Sequence, residues 1–226
     1  QNAVALQVAE MLAGDLFLTD SQKLDPKWKA QATALDLTQS EVTVFSSMAY
    51  TDDQFVMVNV KAIDQAFPLR GELRIQPAAK HIASGEAWLS QRAMDLLRVK
   101  LGDQLNIADG VFKITGLIEH DSNQELGFSG FSPTVIISEA DIAKTNAIQV
   151  GSRIDYRLLM AGTAQNTQQF EANFKKQNVL SEEVSATTQS PNAEEPQNSL
   201  RLRNASEGNT RLMKPIANLD TFLQLA

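Results

Sequence analysis

The stretch Gly85–Glu119, GEAWLSQRAMDLLRVKLGDQLNIADGVFKITGLIE, decides how this chain is read. Trp88, Leu89, Ala93, Leu96 and Leu97 recur at helical spacing, which predicts a short helix ending near Lys100 with one face in a core and Gln91, Arg92 and Asp95 in water. Gly102-Asp103 supplies a turn, after which Leu105 and Ile107 alternate with polar neighbours. Asp109-Gly110 is a hairpin signal, and the run from Val111 to Ile118 alternates again. The result is a small α/β unit of helix, strand and strand.

Working outward, Leu16, Phe17 and Leu18 read as a short buried strand, and Asp25-Pro26 as a helix start with Asp25 the N-cap and Pro26 in the first helical position. Trp28, Ala32 and Leu35 face inward on that helix. Val42, Val44 and Phe45 begin a strand, Thr51-Asp52-Asp53 turns it, and Phe55 to Ile63, FVMVNVKAI, returns with period-two alternation. Farther on, Ile154 to Met160 is a strand, and Thr163 or Asn166 starts a helix carrying Phe170 and Phe174. Val179 to Ala186 reads as a weak strand. The second β-α-β echoes the first, so the expected class is α+β with two lobes. One is a ferredoxin-like βαβ sandwich made of two chain segments, 15–70 and 150–190, and the other is a small α/β lobe, 71–149, inserted between them. A polar loop is expected over 191–209.

Both termini carry apolar helical stripes. Val4, Val8, Met11 and Leu12 make one over residues 1–14; Leu212, Ile216, Leu219, Phe222 and Leu223 make another over residues 210–226, with Pro215 in its first turn or at a kink. Each stripe either docks on the body or pairs with the other.

Composition narrows the function. With 226 residues, 43% of them hydrophobic, the chain can bury a sizeable core. A net charge of -7 argues against nucleic acid, which draws Lys/Arg surplus. The absence of cysteine excludes disulfides and thiolate metal sites and decides no compartment. The sequence given does not begin with Met, has no signal-peptide pattern and no apolar run near the roughly 20 residues that span a bilayer, so it reads as a soluble piece.

The sequence leads us to expect no catalytic residue, cofactor site or metal site. His81 and His120 are the only histidines, and the run Gly127-Phe128-Ser129-Gly130 lacks the Gly-x-Ser-x-Gly elbow of a serine hydrolase. Asp52-Asp53 and Glu182-Glu183 lie beside turn signals and read as solvated charges. No phosphate loop is present. Lys61, Arg70, Arg74 and Lys80 read as partners in local salt bridges ahead of a lipid-facing patch. Phe128 and Phe131, in the Gly-rich LGFSGFS run, fit either an exposed contact tip for a partner or a cap on the small lobe's core.

Five segments, in this order, carry a resemblance: Phe67 to Leu73 (FPLRGEL), Gly85 to Leu89 (GEAWL), Leu101 to Leu105 (LGDQL), Phe112 to Ile118 (FKITGLI) and Gly151 to Arg157 (GSRIDYR). Together they resemble the extracytoplasmic domain of MacB/FtsX-type ABC transporter permeases, most nearly the YbbP-like branch. The resemblance implies a non-enzymatic periplasmic domain of a bacterial inner-membrane permease, cut from between two transmembrane helices. The terminal stripes would pair as a stalk that passes membrane-helix motion outward. It further implies a separate cytoplasmic ATPase subunit, a second permease copy, export or extraction of hydrophobic or lipid-like compounds, and a periplasmic lysophospholipase- or thioesterase-like hydrolase as partner. Read without the resemblance, the residues also fit a free-standing periplasmic adaptor or substrate-binding module.

Overall fold

The computed structural model describes residues 13–121, 132–188 and 199–206, with residues 179–188 described by backbone alone. The first strand, β1 (Leu16–Asp20), leads through Asp25 into helix α1 (Pro26–Ala34). The Asp25 carboxylate accepts from the Lys27 amide at 2.9 Å and Pro26 opens the helix, as the sequence predicts. A long hairpin follows, β2 (Thr38–Tyr50) and β3 (Phe55–Ile63), paired from Val42↔Ile63 to Tyr50↔Phe55. Then come β4 (Leu73–Gln76), β5 (Glu86–Ser90), helix α2 (Gln91–Leu97), β6 (Gln104–Ile107), β7 (Gly110–Asp121) and β8 (Thr134–Ser138). A 3-10 turn (Glu139–Asp141), helix α3 (Ile142–Thr145), β9 (Ile154–Ala161), helix α4 (Ala164–Thr188) and β10 (Arg201–Asn204) complete the described chain.

The strands form one ten-stranded sheet, ordered β10-β1-β9-β2-β3-β8-β5-β7-β4, with β6 joined to both β2 and β7. Two regions follow from these pairings. In the first, β10, β1, β9 and β2 are antiparallel throughout, and α1 and α4 cover one face. Trp28 of α1 packs between Phe170 and Phe174 of α4, with ring centroids 6.1 and 5.2 Å away, over Leu16, Leu18, Leu158 and Met160. In the second, the pairings β2-β3-β8-β5-β7-β6-β2 close on themselves into a barrel. Its interior holds Phe45, Val58, Val60, Leu89, Leu105, Ile107, Phe112, Ile114, Val135 and Ile137. A third cluster, with Phe17, Ile63, Phe67, Ile75, Ile82, Trp88 and Ile136, lies under the 64–85 segment on the opposite face of the sheet.

Several expectations are corrected. Trp88 and Leu89 are in strand β5, not in the helix, because a short Ala-Trp-Leu run buried on both faces has no period that separates helix from strand. Ser90 then caps α2 by accepting from the Ala93 amide at 3.2 Å, and the helix ends at Leu97, where Arg98 turns left-handed at φ 53°. Val179 to Ala186 continues α4 as helix; the strand that follows is β10, inside the range expected to be a polar loop. Leu, Glu and Ala in that run are good helix formers and extend the turns that Phe170 and Phe174 begin. The barrel also draws β2 and β3 from before residue 71, since β2 is long enough to pair with β9 at one end and β6 at the other.

Candidate functional site

Where the chain enters and leaves the described body is one place. β1 and β10 pair with Leu16 opposite Asn204, and the Ala205 amide donates to the Asp15 carbonyl at 2.9 Å. Asp15 is the hub of this root. Its amide donates to the Met160 carbonyl at 2.9 Å, and its carboxylate accepts from the Gly162 amide at 3.0 Å and from Arg70 Nη2 and Nε at 3.0 and 3.3 Å. Arg70 is held in turn, because the Leu69 and Arg70 amides both donate to the Ala13 carbonyl. Residues 13–15, the Leu69–Arg70 turn, the end of β9 and the end of β10 are thereby fastened at a single point. A two-pronged guanidinium–carboxylate contact fixes orientation as well as distance.

A second fastening lies on the barrel wall. Lys61 of β3 and Asp121 at the end of β7 form an ion pair at 2.5 Å, with side chains only 7% and 6% exposed. The Lys61 ammonium also sits 4.3 Å from the centre of the Phe67 ring. A third is Asp141, a buried carboxylate in the 3-10 turn that accepts from Ser84 Oγ at 2.5 Å and the Gly85 amide at 2.7 Å. It ties the end cap of the barrel to the turn before β5. The Lys144 ammonium of α3 lies 4.2 Å from the Phe112 ring centre, which seats the same cap.

Of the predicted residues, Val4, Val8, Met11, Leu12, Leu212, Ile216, Leu219, Leu223, Phe128 and Phe131 lie outside the described residues. Three cations of the 61–80 stretch carry ion pairs: Lys61 with Asp121, Arg70 with Asp15 and Arg74 with Glu72. His81, His120, Asp52 and Asp53 are exposed. Among the described residues no group of three or more His, Asp or Glu is placed to hold a metal ion, and no helix is long and apolar enough to cross a membrane. Sequence reasoning missed Asp15, Asp121 and Asp141. Each is an acidic residue at the edge of an apolar run, a signal that marks strand ends and caps as often as buried anchors.

The barrel also presents an apolar outer face. Phe55 is 68% exposed and Met57 57%, beside their cross-strand partners Tyr50 and Met48; Tyr50 and Phe55 stack at 5.4 Å. Val111 and Leu101 are exposed on neighbouring barrel segments.

No model of a known protein family matches the chain. In sequence it is 29% identical over 173 residues to the uncharacterized ABC transporter permease YbbP of Escherichia coli (strain K12), which covers 76% of this chain. The chain spans only 21% of the length of that relative. In structure it is similar to the periplasmic region of MacB from Actinobacillus actinomycetemcomitans, with a TM-score of 0.54 at 10% identity over 92% of this chain and 97% of that one. The extracellular domain of YknZ, a noncanonic ABC-type transporter from Gram-positive bacteria, aligns at a TM-score of 0.48 and 10% identity over 69% of this chain and 88% of that one. The resemblance read from the five sequence segments is thus met twice, by a permease in sequence and by a MacB-type periplasmic region in fold.

Proposed function

We propose that this chain is the extracytoplasmic domain of an ABC-transporter permease, placed on the periplasmic side of a bacterial inner membrane, and that it transmits membrane-helix motion without catalysing a reaction itself. The observation that carries this reading is the root. A domain inserted between two membrane helices needs its entry and exit side by side, and Asp15 and Ala205 are hydrogen-bonded neighbours. A displacement delivered there reaches β1, which is bonded on both sides, to β10 and β9. Packed elements move between discrete arrangements instead of deforming smoothly, so the sheet would carry that displacement as a body.

We read β10-β1-β9-β2 with α1 and α4 as the ferredoxin-like lobe and the barrel as the inserted lobe. The terminal stripes of residues 1–14 and 210–226 are its stalk. The similarity to the permease YbbP supports a cytoplasmic ATPase and a second permease copy as partners. Export or extraction of hydrophobic, lipid-like compounds, and a periplasmic hydrolase partner, rest on the sequence resemblance alone.

The test uses the whole gene product. Apolar stretches of roughly 20 residues are expected just outside both ends, with the tagged protein partitioning into membranes. A protein that stays soluble, with no such stretches, overturns the reading in favour of a free-standing periplasmic module. In the membrane-embedded assembly, Asp15→Ala is expected to leave ATP hydrolysis running while the transport-dependent phenotype is lost. Full coupling in that variant would show that the root does not transmit motion.

A further inference from the structure

Between the helix layer and the end cap of the barrel one face of the sheet is left open, as a groove of about 480 Å³. That lies within the roughly 300–1,000 Å³ of small-molecule sites. Its floor is Thr43 of β2 and Tyr156 of β9, which are cross-strand partners. Leu24 forms part of one wall, and Ile142, Ala143 and Ile148 form the other. Apolar walls with a few polar groups above a polar floor are what an amphiphile requires.

The charge around the groove selects the sign of the head group. The Glu139 side chain stands on the rim with no hydrogen bond or ion pair to any described residue, and the hydroxyls of Thr43 and Tyr156 are likewise without protein partners among those residues. Partial desolvation at the rim, followed by the nearby carboxylates Asp64 and Glu41, raises the Glu139 carboxyl above its ordinary value, and Lys29 offsets this only in part. Lys29 is already held by Glu41 at 2.6 Å, and Arg157 by Asp155 at 2.6 Å. The remaining cation, Lys23, lies in solvent on the opposite wall. An anionic head would therefore meet the Glu41 and Glu139 carboxylates of the lining, with Asp64 nearby, whereas a cationic one relieves their mutual repulsion.

We propose that this groove binds small amphiphilic primary amines, with the ammonium against Glu139 and the Thr43 and Tyr156 hydroxyls and the apolar body along Leu24, Ile142 and Ile148. An ammonium has three donors and no acceptor, which matches a carboxylate and two hydroxyl oxygens. The inference rests on the groove alone and is independent of membrane attachment.

The experiment titrates octylammonium, octanoate and octanol separately into the 226-residue chain and follows the tyrosine ring resonances by NMR. The chain has two tyrosines, Tyr50 on the barrel and Tyr156 in the groove, so Tyr50→Phe assigns them. Octylammonium is expected to shift the Tyr156 resonances saturably at neutral pH. Glu139→Gln and Ile148→Ser are each expected to weaken it on the order of tenfold, as removal of one charge-assisted contact or of a buried alkyl contact should. Affinity should also fall as pH is lowered through the titration of Glu139. Octanoate or octanol binding as well as the amine overturns the proposal. So does an unchanged affinity in Glu139→Gln, or a response of Tyr50 in place of Tyr156.

Discussion

The helix-covered sheet and the barrel share strand β2 but are held together in opposite ways. The sheet of β10, β1, β9 and β2 is assembled from segments far apart in the chain, is covered on one face by Trp28 of α1 with Phe170 and Phe174 of α4, and presents no large apolar side chain to solvent among the described residues. The barrel, by contrast, uses nearly contiguous chain, closes on an apolar interior, and leaves Phe55, Met57, Val111 and Leu101 exposed on its segments. Closure removes sheet edges, so the barrel needs no cover for its backbone; the sheet does need helices and fastened ends. Charged fastenings follow the same division. Asp15 and Arg70 hold the root of the sheet at its partly exposed rim, whereas Lys61 and Asp121 are buried against the outside of the barrel wall, beneath Phe67.

The largest effect on this contrast is expected from Lys61→Met. It leaves the Asp121 carboxylate buried without its cation, which typically costs about 3–5 kcal/mol. Urea unfolding should show that loss, and Lys61→Met combined with Asp121→Leu should recover most of it. A double variant no better than the single would mean that the pair is not what pins the wall. Next comes Asp15→Ala at the root, where charge-assisted hydrogen bonds from Arg70 and the Gly162 amide are lost together, for about 2 kcal/mol. Hydrogen exchange should rise first at Leu16 to Leu18 and remain slow at Leu105 to Ile114. Uniform loosening of both regions would erase the distinction between them.

Gly116→Ala probes the packing outside the barrel. A methyl group there would meet Ile75 Cγ2 at 2.3 Å and Trp88 Cδ1 at 2.7 Å, so overpacking should cost about 1–3 kcal/mol and shift the Trp88 fluorescence. Phe55→Ser with Met57→Ser should change stability by less than about 0.5 kcal/mol, since both side chains are largely in water. A greater loss would show that the face is structural.

The smallest effect belongs to the groove between the regions. Because the folded carboxyl of Glu139 titrates above its unfolded value, its contribution to stability is present in acid and lost as pH rises through the folded value. Glu139→Gln should therefore match the parent in acid and be slightly more stable near neutral pH. Thermal melts at the two pH values check the sign.

Local chemistry in the sequence was enough for the helix start at Asp25-Pro26, the β2–β3 hairpin and the Asp109-Gly110 turn. In each, a residue type and its immediate neighbours carry the whole signal. It was not enough at Trp88-Leu89, where a short doubly buried run has no diagnostic period, nor at Lys61. The alternation in FVMVNVKAI puts Lys61 on the same side as Phe55 and Met57, and nothing local says that Phe67 will cover one while the others stay in water. Ring closure through Ala49↔Ile107, the meeting of Asp15 with Arg70, Gly162 and Ala205, and the groove over Thr43 and Tyr156 all join residues distant in sequence. Sequence alone determined the α+β class and most of the strands, because propensity, capping and alternation act over a few residues, and its five ordered segments carried the likeness to a permease domain. Tertiary structure alone decided which charges are buried, where the barrel closes and where the two ends of the body meet, because burial and long-range pairing depend on what the rest of the chain brings alongside.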